Sequence, residues 1–302
     1  MKKLLLIALL LCIKQLNAQC SLSIIGDTII CSGTTTTLTA SGATNYTWMP
    51  SSAHTATIVV IPTATTIYTV TGTTGTCTAT NTVAVTVNNN PVLSFTATPT
   101  CDMSPVIFTN TTPNQGSFSS WHWDFGDGAG TSTSVAPSSF TYSNAGTYTV
   151  VLTATTTTGC SGTVIATAIV HPNPSANGGF SQVCLGNGAP FYDASTITNP
   201  PGINDNITTW NWNYGDGNSS PLVSPTYTYA ACGVYTVSLT VTTNFNCTNT
   251  ISGTDTIFCL PQVIAPASFS VCPGTPVSSV QTTFTTTCQQ PTWGVPASVL
   301  FV

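Results

Sequence analysis

The chain has 302 residues with 12 Cys, 8 acidic side chains and 3 basic ones, for a formal net charge of −5. The only basic residues are Lys2, Lys3 and Lys14, and every acidic residue is an Asp, so nearly the whole chain carries negative charge alone. Nucleic acid is excluded as a partner, because its phosphates are bound by cationic side chains; phosphate clamps and basic lipid-binding patches are excluded likewise.

The chain opens with MKKLLLIALLLCIKQLNAQ, in which two Lys precede an apolar run from Leu4 to Ile13 and then Leu16-Asn17-Ala18. That run is too short to span a bilayer and has the layout of a secretory signal, expected over 1–18 with cleavage after Ala18. Gln19 is not the small residue that lipidation of Cys20 would want. The mature chain then has no Lys or Arg, eleven Cys and no membrane-inserting segment. Cysteine usage of this kind fits an oxidising compartment, secreted or at a bacterial cell surface, with disulfides. Thr, Val, Ile and aromatics replace the missing charges, which favours strands and cores over disorder.

Downstream, TNTVAVTV (80–87), TYTVVLTAT (147–155), TVIATAIV (163–170) and VYTVSLTVT (234–242) alternate apolar residues with Thr or Ser. Period-two alternation marks half-buried strands, and no stretch shows a helical period. The fold class is all-β, with tandem β-sandwiches in a linear array. Three segments, ending at Cys77, Cys160 and Cys247, place Tyr-Thr-Val before a closing Cys; Tyr148 and Tyr235 sit 12 residues ahead of theirs. Cys31, Cys101, Cys184 and Cys272 open the repeats. Linkers at NNNP (88–91), HPNP (171–174) and LPQVIAP (260–266) give units of about 19–88, 89–171, 172–260 and 261–302. The last unit is too short to close a sandwich and lacks the Tyr-Thr-Val strand, so the chain reads as a fragment of a longer protein.

One stretch recurs inside two units: WHWDFGDGAG from Trp121 and WNWNYGDGNS from Trp210. Trp121, Trp123 and Phe125 fall on one face of a strand, as do Trp210, Trp212 and Tyr214, so each trio is expected in a core. Gly126-Asp127-Gly128 and Gly215-Asp216-Gly217 then turn the chain, glycine supplying positive φ and aspartate accepting amides of its own turn. WDFGDG followed by FTYSNAGTYTVVLTAT resembles the polycystic-kidney-disease (PKD) domain, a small Ig-like sandwich. WNYGDG with YTYAACGVYTVSLTVT resembles it too, with Asn213 where the first copy has Asp124. Residues 19–88, with Trp48 but no Gly-Asp-Gly, look like related bacterial Ig-like repeats. The resemblance implies tandem Ig-like/PKD domains acting as spacers or as modules that bind extracellular proteins or glycans. Thr-rich versions with paired Cys resemble type IX secretion cargo.

Sharper chemistry has less support in the sequence. Calcium at Asp124 and Asp127, or at Asn213 and Asp216, would need six to eight oxygens, and the acidic spacing lacks the density of an EF-hand loop. No cofactor is expected. Glycosidase work by paired carboxylates is opposed by the exposed turn and by Asn213. His54, His122 and His171 lie in different units with no HExxH, and no G-x-S-x-G occurs, so no enzyme is expected. Among the cysteines, a hairpin about Asn246 pairs Cys232 with Cys259. Spacing suggests Cys31–Cys77, Cys101–Cys160 and Cys184–Cys247. In a regular Ig-like order, however, the two ends of such a pair lie at opposite poles, so stapling of one unit to its neighbour stays open. Cys20, Cys272 and Cys288 have no assigned partner. Asp27-Thr28-Ile29 and Asp255-Thr256-Ile257 match the Asp-Thr-apolar O-glycan acceptor of such bacteria. The function expected is an adhesin-like secreted or surface protein, the alternative being the non-catalytic N-terminal part of a secreted protease or polysaccharide hydrolase.

Overall fold

The computed structural model describes residues 21–137 and 139–259. The expected signal peptide, Cys20, the unit from 261 and its Cys272 and Cys288 lie outside them. The described residues fall into two compact units: one holds 21–96, 108–137 and 149–166, the other 97–107, 139–148 and 167–259. Apart from a single 3-10 turn at Gln115–Ser117, the regular structure of the described residues is β-strand.

The first repeat is β1 (Ser23–Ile25), β2 (Ile29–Cys31), β3 (Thr36–Ser41), β4 (Asn45–Met49), β5 (Thr57–Val60), β6 (Thr66–Thr74) and β7 (Cys77–Asn88). They form two sheets, β1-β3-β5 and β2-β7-β6-β4. Thr-apolar alternation works as the sequence implies: in β6, Tyr68, Val70 and Gly72 are buried while Ile67 faces solvent. Leu38, Trp48, Val70 and Val85 are fully enclosed and make the core of this repeat.

The second repeat adds β8 (Phe95–Ala97), β9 (Thr100–Cys101), β10 (Phe108–Asn110), β11 (Phe118–Asp124), β12 (Thr131–Ser132), β13 (Gly146–Thr156) and β14 (Ser161–His171). Its larger sheet runs β12-β11-β13-β14-β9. The third repeat comprises β15 (Gly178–Gly179), β16 (Gln182–Cys184), β17 (Ala189–Pro190), β18 (Tyr192–Asp193), β19 (Ile207–Asn213), β20 (Ser219–Ser220), β21 (Thr226–Tyr227), β22 (Gly233–Thr243) and β23 (Thr248–Phe258). Its sheet runs β16-β23-β22-β19-β20, with the short pairs β15-β18 and β17-β21 beside it. The architecture is therefore tandem Ig-like β-sandwich repeats.

Each repeat shares one detail that later positions its cysteine. The short strand ending in the opening Cys runs parallel to the last strand: Cys31 stands opposite Asn88, Cys101 opposite His171 and Cys184 opposite Phe258. In the hairpin of the third repeat, Tyr235 faces Asp255 and Leu239 faces Ile251, so opposing numbers sum to one less than the spacing about Asn246 suggests. Asn246 itself takes φ 62° in the turn.

Candidate functional site

The aromatic strands and the loops that follow them were the sequence's strongest site candidates. Along β11, burial alternates: Trp121, Trp123 and Phe125 are interior, while His122 and Asp124 are exposed. Trp123 meets Phe95 edge-on at 5.0 Å, and Phe108 packs on Phe125 at 5.0 Å. In β19, Trp212 and Tyr214 are interior, but Trp210 is only half-buried and donates its indole N–H to Asp193 Oδ2 at 2.7 Å. Each fully enclosed indole has one polar need, and a loop carbonyl meets it: Trp48 donates to Thr55, Trp123 to Ser134 and Trp212 to Val223, at 3.0–3.2 Å. These rings form core. Burial of each ring stabilises the fold by roughly 2 kcal/mol.

The loops are equally self-contained. Asp124 Oδ1 accepts the Gly126 amide at 2.9 Å, and Asn213 Oδ1 accepts that of Gly215 at the same distance. Asp127 Oδ1 accepts the amides of Ala129 and Gly130 at 3.2 and 2.6 Å. The Gly130 amide is the main reason the Asp127 carboxyl is held below its ordinary range. Asp216 Oδ1 accepts from Asn218, and its Oδ2 accepts from the Tyr227 hydroxyl at 2.6 Å. Burial pushes the Asp216 carboxyl up, but the Tyr227 hydroxyl and the Asn218 amide outweigh it and leave it lowered. Gly126, Gly128, Gly215 and Gly217 have φ between 77° and 94°, which suits glycine. In the second loop Asn213 Oδ1 and both Asp216 carboxylate oxygens already accept hydrogen bonds. Among the described residues, no group of three or more His, Cys, Asp or Glu side chains could hold a metal.

Tyr148 and Tyr235 close a second local device. Their hydroxyls donate to the carbonyls of Asn144 and Ala231, four residues upstream, at 2.7 and 2.9 Å. This is the tyrosine corner of Ig-like sandwiches.

The cysteines correct the spacing-based pairing. Cys31 is bonded to Cys160 and Cys101 to Cys247, with Cα atoms 5.5 and 5.6 Å apart. Cys31–Cys77, Cys101–Cys160 and Cys184–Cys247 therefore do not form. Strand length explains why: Cys247 precedes β23, and Cys184 lies at the far end of that 11-residue strand. At about 3.3 Å per residue the two are separated by roughly 36 Å. Disulfides need Cα atoms within about 7 Å. Cys77 and Cys31 stand at opposite ends of β7 in the same way. The alternative of stapling neighbours holds instead. Cys232 is bonded to Cys259, Cα atoms 4.9 Å apart, just beyond the paired ends of β22 and β23. Cys77 and Cys184 are also disulfide-bonded.

The PKD domain profile matches residues 88–170 and 171–259, together more than half of the chain. The chain belongs to the PKD-domain family. Among solved structures it is similar to the PKD1 domain of Vibrio anguillarum Epp, at 28% identity over 28% of this chain and 93% of that one, TM-score 0.25. The PKD1 domain of the Vibrio cholerae metalloprotease PrtV gives 26% identity, 28% and 96% coverage, and TM-score 0.25. Three N-terminal domains of the bacteriophage RB49 outer capsid protein Hoc give 16% identity, 78% and 98% coverage, and TM-score 0.37. No curated protein gives a significant match. PKD and Ig-like modules with disulfides fit an extracellular setting. No helix among the described residues is long and apolar enough to cross a membrane.

Sequence reasoning missed one site. Where the first PKD repeat ends, His171 Nδ1 lies 2.9 Å from Asp205 Oδ2, both residues being almost wholly buried. The His171 ring stacks on Phe245 at 3.7 Å and 15°. Asn199 brackets Asp205, accepting its amide and donating to its carbonyl. A cleft of about 350 Å³ opens here, lined by Thr147, His171, Asp205, Asn244 and Phe245 among others. Asp205 Oδ1 has no partner among protein atoms, which suits a bound water. His171 and Asp205 are 34 residues apart, so no local motif joins them. The available hint was a His on the last strand residue before a linker. The other histidines stay apart: His122 is exposed, and His54 Nδ1 is 3.1 Å from Thr47 Oγ1.

Proposed function

We propose that this chain is a secreted or cell-surface spacer, adhesin-like, built from an Ig-like repeat over 19–88 and PKD repeats over 89–171 and 172–260. Its repeats hold a distal binding region away from the surface and offer contacts to extracellular proteins or glycans, with no catalysis of their own. The observation that carries this reading is the pair of staggered disulfides, each running from the opening Cys of one repeat to the closing turn of the next. A spacer has to keep its length under tension, and these bonds supply covalent shortcuts that non-covalent packing cannot. Between residues 21 and 259 the shortest covalent route drops from roughly 240 residues to roughly 85.

Single-molecule stretching of the exported chain, held by its two ends, tests this. The oxidised chain should stop about 500 Å short of the reduced chain, at roughly 3.5 Å per residue freed. Equal extension in both states would overturn the load-bearing reading. Hydrolysis of a protein or polysaccharide that disappears with His171→Ala or Asp205→Asn would overturn the non-catalytic one.

A further inference from the structure

Two loops and two strand ends of the second compact unit meet at the His171 cleft, and backbone bonds fix its walls. The Asn206 amide donates to Asn244 Oδ1 at 2.9 Å, and the Asn244 amide to the Asn206 carbonyl at 3.0 Å. The Ile203 amide bonds back to the Pro200 carbonyl at 3.1 Å, across Gly202 at φ 85°. Asn199 clamps both backbone groups of Asp205. Cys101, which stands opposite His171, is bonded to Cys247, two residues after Phe245. A disulfide therefore pins both partners of the His171–Phe245 stack. At about 350 Å³ the cleft falls at the lower end of the roughly 300–1,000 Å³ usual for small-ligand sites.

The chemistry of this cleft is one-sided. Asp205 is 1% exposed, with Oδ2 on His171 and Oδ1 without a protein donor. A carboxylate only accepts, so His171 Nδ1 carries the proton and Nε2 of the neutral ring is an acceptor. Phe245 stacks one face on His171 yet keeps 49% of its surface exposed. Beyond Lys14 the chain holds eight Asp and no basic side chain to balance them. A buried carboxylate short of a donor is costly, and a cation that donates hydrogen bonds relieves it. An anionic ligand would be repelled here, and a neutral sugar would leave the charge uncompensated. An aromatic ring beside a carboxylate suits a guanidinium above all, because its plane stacks and its N–H groups only donate. The chain contains no Arg, so a second copy of it cannot supply that group.

We infer that this cleft receives the guanidinium of an Arg side chain from a partner protein, stacked on Phe245, accepted by His171 Nε2 and drawn by the buried charge of Asp205. Thr147 and Asn204, both exposed, line the cleft with further oxygens for the remaining N–H groups. The inference rests on the spacer reading for its setting and narrows the partner to a basic protein. The uncompensated Asp residues steer such a partner toward the chain.

The probe is acetyl-Gly-Arg-Gly-amide, titrated at low salt into the full exported chain while the NMR signals of His171 and Phe245 are followed. Saturable shifts are expected, with half-saturation on the order of 1 mM, and about 0.5 M NaCl should weaken binding several-fold. The same peptide with citrulline for Arg keeps the shape, loses the charge and should bind about tenfold more weakly. Free arginine, whose own carboxylate meets Asp205, should also bind more weakly than the blocked peptide. Asp205→Asn should lose binding about tenfold, and Phe245→Leu about threefold, with urea midpoints showing that each variant is folded. If Asp205→Asn does not fold, Phe245→Leu and the citrulline peptide decide. Equal binding of the citrulline peptide, undiminished binding by Asp205→Asn, or tighter binding of free arginine or a neutral disaccharide overturns the inference. Absence of Arg-peptide binding with Cys31–Cys160 and Cys101–Cys247 intact sinks the cleft and leaves the spacer reading standing. Within-repeat disulfides in a chain that still binds the peptide would do the reverse.

Discussion

Asp124 and Asn213 stand at the same point of two loops and perform one task with different chemistry. Each oxygen accepts a single glycine amide, so the position needs an acceptor and not a charge. The glycines after them differ among themselves. A Cβ on Gly126 would run into the Thr149 carbonyl, whereas around Gly128 there is open space. Gly126→Ala should therefore cost more than about 2 kcal/mol and Gly128→Ala only about 1, measured by urea denaturation. Equal losses would mean that backbone torsion alone sets the cost. Asp255 shows the opposite case, a carboxylate wholly buried on β23 whose oxygens meet no well-formed hydrogen bond, with the Tyr229 hydroxyl and the Thr256 amide near it opposing burial only in part. Burial raises its folded pKa above the ordinary 3.8. The protonated form is thus favoured by folding, and its stabilisation is present below about pH 4 and lost as pH rises through the raised value. Asp255→Asn should gain about 1–2 kcal/mol over the native chain at pH 7.5, with the gain shrinking at pH 3.5. An effect that grows on acidification would contradict the sign. Burial also bears on the Asp-Thr-apolar matches: Asp255 and Ile257 are interior, while Asp27, Thr28 and Ile29 are exposed.

Among elements, the tyrosine corners show how a single bond anchors a long strand. Tyr148 stacks on Tyr142 at 3.8 Å, and Tyr235 on Tyr229 at 4.2 Å, so a phenyl ring would keep the packing and lose only the hydroxyl. Tyr148→Phe and Tyr235→Phe should each cost about 1 kcal/mol with an unchanged urea dependence. A loss of 3 kcal/mol or more would show that the ring packing had also changed. Strands were the most legible feature of the sequence, because Thr-apolar alternation is a local record of which side chains face inward. VYTVSLTVT at 234–242 lies within β22, and TVIATAIV at 163–170 within β14. Register was less legible: the one-residue offset in the last hairpin depends on how the Asn246 turn closes.

At the scale of the whole molecule, the absence of Lys and Arg beyond Lys14 makes the staples directly testable. Asn89 is exposed in the linker after β7, and Asn89→Lys would create a single tryptic site in the mature chain. After cleavage the pieces should stay together on a non-reducing gel through Cys31–Cys160 and part when reduced. Separation without reductant would restore within-repeat pairing.

Composition, the alternating Thr strands and the twice-written Trp and Gly-Asp-Gly stretch sufficed by themselves for an all-β, disulfide-bearing chain with PKD-type repeats. Those properties are carried by residues within a few positions of one another, where backbone geometry leaves few choices. The partners of Cys31, Cys101, His171 and Asp205 were decided only by tertiary structure. Each strand of eleven or twelve residues carries the closing Cys far from the opening Cys of its own repeat, and the next repeat supplies the neighbour. Distance along the chain says nothing about that, because a disulfide or an ion pair responds to separation in space.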